Sequence, residues 1–362
     1  MRLWLPVFLT VGLAVLPALA VAQTDSEERT QPSVQNYVLL GNQYYDAGQY
    51  DAALIAFKRA VELDEKNVEA LYGLARAQLR LRLFSSAVEN LKAAISLDAS
   101  YTPAYVALAQ AYTDQYINAR DREAARALLD QALLVLNDAE RINPEYYAIY
   151  NQRGLIYQYK GDPEKAAEAF EKALSINNED PIVLYNLALT NLSLGRLDEA
   201  LSLLKRAVAV APQDSYVRAR YGALLAVKGR LDDALFELEQ AVRLDPTNAL
   251  AWSYLGQVRF QRKEYEEALA ALSRAVERDP SRYPEAYFYL GRVYMERGEY
   301  EEARYNLSKA VVLDPANAEY RYWLGHANEK LGDMEGAAAQ YKKAIELRPD
   351  YPEAREGLAR VQ

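Results

Sequence analysis

A repeat of 34 residues runs through most of the chain, and it limits the fold more than any other feature. A segment that short cannot enclose a core of its own and buries its apolar face only by stacking on copies of itself. One alanine column runs Ala53, Ala87, Ala132, Ala166, Ala200, Ala234, Ala268, Ala303 and Ala337. A second runs Ala60, Ala94, Ala139, Ala173, Ala207, Ala241, Ala275, Ala310 and Ala344. Between them lies a bulky apolar column of Phe57, Leu91, Leu136, Phe170, Leu204, Leu238, Leu272, Leu307 and Tyr341. Within a unit these residues follow one another at steps of four and three, which places them on one face of a helix.

Upstream in each unit stands a small residue: Gly41, Ala75, Ala109, Gly154, Ala188, Gly222, Gly256, Gly291 and Gly325. A small residue there lets a first helix approach a second closely, and the bulky column fills the space beside it. Proline often closes the unit, at Pro144, Pro212, Pro246, Pro280, Pro315 and Pro349, where it stops the second helix. The pattern resembles the tetratricopeptide repeat family. Tyr287, Leu290, Gly291, Tyr294, Ala303, Leu307, Ala310 and Pro315 carry the likeness in one unit, and Trp252, Leu255 and Gly256 give the tryptophan form in another. Arg153 and Tyr221 depart from it in place of leucine, and Arg218 and Arg321 in place of the leading aromatic. The resemblance implies an all-α, right-handed superhelical solenoid of helix-turn-helix units, with the first helices lining a concave groove.

Nine units are expected at 34–67, 68–101, 102–146, 147–180, 181–214, 215–248, 249–282, 284–317 and 318–351, with Tyr283 an extra loop residue. The third has 45 residues against 34, and the 11 added are placed around Gln115 to Leu128. That is roughly three helical turns, a length that extends helices without rotating the apolar face. Most first helices carry apolar residues seven apart to meet the preceding unit, as in Ala70/Ala77, Ile149/Ile156 and Val217/Leu224. The first unit has Asn36 and Gln43 there, so it reads as the N-terminal cap. Ala354 and Val361 continue the apolar pair, so 352–362 reads as a C-terminal capping helix.

The N-terminus predicts export. Arg2 is followed by an apolar run from Leu3 to Ala20, and Ala20-Val21-Ala22 precedes Gln23 as an A-x-A site. Residues 1–22 read as a cleavable signal peptide and 23–33 as a linker, so a periplasmic or secreted protein is expected. An uncleaved N-terminal anchor is the alternative. The absence of cysteine excludes disulfides, thiolate metal sites and a lipid-modified cysteine. A net charge of −9, or −10 after loss of Arg2, argues against nucleic-acid binding.

Neither a cofactor, a metal nor a catalytic role is expected. His326 is the one histidine, and there is no phosphate-binding glycine loop or nucleophile elbow. The acidic residues fall at helix starts and solvated faces, where helix-end electrostatics accounts for them. The sequons at Asn191 and Asn306 fall inside helices.

A protein or peptide partner is expected in the groove. The fifth, sixth, ninth and twelfth places of the last three units hold Tyr254, Phe260, Phe288, Tyr289, Arg292, Tyr322, Trp323 and His326, taken as the main partner-binding set. Tyr185, Asn186 and Arg220 form a secondary set. Large aromatics with a few polar groups are the usual make-up of a recognition hot spot, although each ring could instead pack between helices. The two-lysine carboxylate clamp of some co-chaperones of this family is incomplete. Asn186 and Arg220 match it, but Asn151 and Tyr216 stand at its lysine places and Leu155 at an asparagine place. The asparagine ladder of the O-linked N-acetylglucosamine transferases is matched by Asn186 alone. The expected function is a non-enzymatic scaffold of the cell envelope, monomeric on its own. A self-associating array, or a regulatory subunit of an envelope enzyme, is the alternative.

Overall fold

A computed structural model describes residues 33–362. The expected signal peptide and all of the linker before Ser33 lie outside the described residues. Helices come in pairs because each repeat carries two amphipathic stretches separated by a turn. The first four units are α1 (Val34–Asp46) with α2 (Tyr50–Leu63), α3 (Val68–Arg80) with α4 (Phe84–Leu97), α5 (Thr102–Asn118) with α6 (Ala127–Ile142), and α7 (Tyr147–Lys160) with α8 (Pro163–Ile176). The other five are α9 (Pro181–Ser193) with α10 (Leu197–Val210), α11 (Ser215–Val227) with α12 (Leu231–Leu244), α13 (Ala249–Gln261) with α14 (Tyr265–Arg278), α15 (Pro284–Arg297) with α16 (Tyr300–Leu313), and α17 (Ala318–Lys330) with α18 (Met334–Leu347). A single helix, α19 (Pro352–Val361), ends the chain. No strand occurs among the described residues, and the chain is a right-handed superhelical α-solenoid.

Every member of the two alanine columns and of the bulky column is fully buried. Burying one bulky-column side chain contributes roughly 2 kcal/mol, and the alanines let the partner helix come close enough to achieve it. At Gly154 an added Cβ would stand 2.5 Å from the Phe170 ring, and at Gly291 2.5 Å from Leu307 Cγ, so the close approach requires glycine. The turns between paired helices need a left-handed residue. Glycine supplies it at Gly161 and Gly298, with φ of 75° at both, whereas Arg82 and Lys263 adopt it at 63° and 62° with a side chain in place.

First helices of consecutive units pack on one another, as α1 on α3, α11 on α13, α13 on α15 and α15 on α17, while the second helices meet mainly first helices. The first helices thus form an inner layer and the second an outer one, and the groove follows the inner layer. The joint between α9 and α11 is the loosest of that layer. A row of ion pairs links first helices to the preceding second helix: Lys160 to Asp130 at 2.5 Å, Lys228 to Asp198 at 2.6 Å and Arg297 to Glu266 at 2.9 Å. Each contributes at most about 1 kcal/mol at such exposure.

The eleven added residues of the third unit do not go into three whole turns. They lengthen α5 to 17 residues against 13 in α3 and α6 to 16 against 14 in α4. The remainder forms a bend and a short 3-10 turn, Ala124–Arg126. At the ends, Asn36 and Gln43 are exposed, whereas Ala354 is fully buried and Val361 half-buried. Asn191 and Asn306 are buried, which closes both sequons to a glycan in the folded chain. Among the described residues no helix is long and apolar enough to cross a membrane.

Candidate functional site

The residues expected to form one aromatic wall fall into three places along α11, α13, α15 and α17, the last two places joined through Trp323, which packs edge-on against Tyr322 at 5.4 Å and His326 at 5.6 Å. The first is a hollow where α9 and α11 stand apart. It has a volume of about 240 Å³ and is walled by Leu192, Leu197, Ala223, Ala226 and Val227, with Arg220 and Tyr254 at its polar edge. The Arg220 guanidinium donates to the Tyr254 hydroxyl at 2.7 Å, and its buried Nε has no acceptor. Burial pushes the Tyr254 phenol up, against the opposing effect of Arg220. The hollow therefore joins a residue of the expected secondary set to one of the main set.

The second place is a cage of rings around Arg292. Its guanidinium lies 3.6 Å from the centre of the Trp323 ring, 5.2 Å from Phe260 and 5.8 Å from Phe288. Tyr289 closes the cage, packed edge-on against both phenylalanines at 5.3 and 5.2 Å. Stacking on tryptophan holds the guanidinium by its π-face and leaves its edge free to donate. Burial pushes the Arg292 guanidinium down from its usual value, outweighing what Glu319 and Glu296 return. Its buried Nε has no partner either. Phe288 is a correction to the expected surface. It is only 4% exposed and stacks on Tyr320 of the next unit at 4.8 Å, so it supports the cage from beneath.

The third place belongs to the C-terminal end. Tyr322 packs edge-on against Trp323 of the cage at 5.4 Å on one side and reaches Tyr351 and Tyr341 on the other, at ring distances of 5.2 and 5.8 Å, within the cluster that receives Ala354 of α19. His326 lies parallel to Tyr322, with Nδ1 3.6 Å from Glu329 Oε2, too far for a hydrogen bond. Burial pushes the imidazole down. Glu329 accepts from Tyr341 at 2.5 Å and from Arg360 of α19 at 2.8 and 3.0 Å, and these donors hold its carboxyl at about 2. Tyr322 and His326 thus serve the junction between α17, α18 and α19.

Of the rest of the secondary set, Tyr185 is half-buried on α9, and Asn186 reaches Asn151 of α7 at 3.4 Å. Ala223 and Ala226 were not singled out by their sequence, yet they open the hollow. They are smaller than their counterparts at the ninth and twelfth places of neighbouring first helices, which have Leu189 and Leu192, Gln257 and Phe260, or Arg292 and Met295. Comparing residue size down each groove column carries that signal.

Comparison with known proteins agrees with the repeat fold. Models of the TPR or tetratricopeptide repeat match residues 41–81, 68–101, 114–181, 159–227, 222–283, 291–332 and 330–362. The cellulose synthase operon protein C of Xanthomonas axonopodis pv. citri is 30% identical over 179 residues, 49% of this chain and 12% of that protein. The chain spans less than a third of the length of each curated relative it matches. A thermophilic TPR protein of Thermus thermophilus is 43% identical, with a TM-score of 0.51 over 54% of this chain and all of its own. The pilF protein of Pseudomonas aeruginosa, at 22% identity and a TM-score of 0.53, covers 60% of this chain and 98% of its own, and shares the fold. The matches tile the chain from the first unit to α19, and the protein belongs to the tetratricopeptide repeat family.

Proposed function

We propose that the chain is a non-enzymatic scaffold of the cell envelope that holds a segment of a partner protein along α11 to α17. The observation that carries this reading is the state of Arg220 and Arg292. Both lie on the inner layer, and no carboxylate among the described residues forms an ion pair with either, although acidic residues outnumber basic ones by 51 to 42. Arg218 on the same helix as Arg220 is paired with Glu237 at 2.5 Å, and Arg297 on the same helix as Arg292 is paired with Glu299 at 2.5 Å. Arg218 and Arg297 meet a carboxylate within the chain; Arg220 and Arg292 do not.

The envelope location rests on Arg2, the apolar run and Ala20-Val21-Ala22. N-terminal sequencing of the exported protein should return Gln23, and a chain that keeps Met1 would favour the anchored alternative. For the groove, the mature protein should be used to capture partners from the native envelope beside its Val227→Arg and Tyr289→Ala variants. Val227 is exposed at the mouth of the hollow, so arginine there blocks the groove without entering the core. Capture lost on both variants with melting unchanged supports the reading. Capture that survives both places the binding surface elsewhere on the solenoid.

A further inference from the structure

Two features on the inner layer share a guanidinium set beside apolar side chains. The hollow is apolar on the α9 and α10 side and carries a guanidinium on the other. At about 240 Å³ it is below the roughly 300–1,000 Å³ of small-molecule sites, a size that suits one large side chain. Arg220 at its edge has one donor satisfied by a neutral phenol and a buried donor with none. Such a group favours a carboxylate, because a charge-assisted bond replaces lost hydration better than a neutral acceptor does. Arg292, two units on, likewise has a buried Nε with no acceptor. Its stem and π-face are fixed by Trp323, Phe260 and Phe288, which settles its orientation before anything binds.

The spacing between the two follows from the helices that carry them. α11 packs on α13 and α13 on α15, and packed helices lie 8–10 Å apart, so the arginines stand roughly 20 Å from each other along the groove. Extended chain advances about 3.3 Å per residue, so about six residues bridge them. We propose, resting on the groove reading above, that this stretch holds an acidic, extended segment of a partner protein. An apolar side chain enters the hollow with a carboxylate beside it on Arg220, and a second carboxylate, about six residues along, meets Arg292. Glu319 and Glu296 near the cage do not fill this role, since neither reaches an ion pair with Arg292.

The test is selection from a library of random peptides, displayed on phage and long enough to span both arginines, against the full mature chain. Enriched peptides are then synthesised and their affinities measured by fluorescence anisotropy. The expected peptides share an apolar residue next to Asp or Glu and a second acid about six positions on. Arg220→Gln and Arg292→Gln should each weaken them by roughly thirty-fold or more, as for other desolvated charge pairs that lose one partner. Changing the peptide acids to amides should give the same loss against the unaltered protein, a control that holds even where a variant folds poorly. Added sodium chloride should weaken binding as well. Enriched peptides that lack acids but are lost on Val227→Arg would overturn the acidic segment and leave the groove reading standing. Peptides indifferent to Val227→Arg, or no enrichment at all, would overturn both. Association of the chain with itself, abolished by Val227→Arg in light scattering, would give the surface to a second copy and also overturn the proposal.

Discussion

Arg220 and Arg292 lie on the same layer of the solenoid, two units apart, and are both without an acidic partner, yet their surroundings differ. Around Arg220 the neighbouring residues are small, Ala223 and Ala226, and α9 stands off from α11, so space remains. Around Arg292 they are large, Phe260 and Trp323, and the guanidinium is packed between rings. The groove of a repeat protein is thus set column by column: helix positions repeat, while the volume left between them depends on the few side chains that vary. The caged end also has α19 behind it, bound through Arg360 and Glu329, whereas the hollow lies mid-chain between units that depend on each other alone.

The largest expected effect separates the two regions by stability. Deleting 352–362 exposes the face that covers Ala354 and frees Glu329 from Arg360. It should cost on the order of 3 kcal/mol. Hydrogen exchange should show the loss in α15 to α18 and leave α9 to α13 protected. Equal loosening of both regions would mean that the solenoid melts as one unit and the comparison fails.

Trp323→Ala comes next, at about 2 to 3 kcal/mol, because it removes the ring on which Arg292 rests. Ala223→Leu at the hollow should instead change melting by less than about 1 kcal/mol, since it adds methylenes to open space. Thermal melts of the two variants side by side decide whether the hollow is free volume.

The third effect is a pH dependence at the caged end. Glu329 titrates at about 2 in the fold and near 4.5 when unperturbed. The unfolded chain therefore binds more protons between these values, so the stability it supplies is complete above pH 4.5 and is lost as pH falls toward 2. His326, pushed below its ordinary 6.5 by burial, adds in the same direction starting from that higher pH. Glu329→Gln should flatten the acid limb of an acid-denaturation curve, and an unchanged limb would show that the carboxylate network does not hold α19.

The smallest effect checks that turns, unlike groove columns, are interchangeable among units. Lys263 occupies the left-handed position that glycine fills elsewhere, and Lys263→Gly should stabilise by up to about 1 kcal/mol. Gly298→Lys should lose about as much. A calorimetric scan of each suffices.

The sequence by itself determined the architecture. The alanine columns, the bulky column and the small residue upstream fix where helices begin, which faces they bury and how closely they approach, because those are local periodicities repeated nine times. It also determined which groove positions hold rings and arginines. Only the tertiary structure decided what those residues meet. Phe288 went under the surface against Tyr320, Tyr322 went to Tyr351 at the C-terminal junction, and Tyr254 went to Arg220 in another unit. These outcomes depend on the curvature between units and on the volume of residues a whole unit away, which no periodicity within one helix encodes. The eleven extra residues of the third unit show the same limit: their number was plain in the sequence, but their division between α5, α6 and the bend was settled by packing against the neighbouring units.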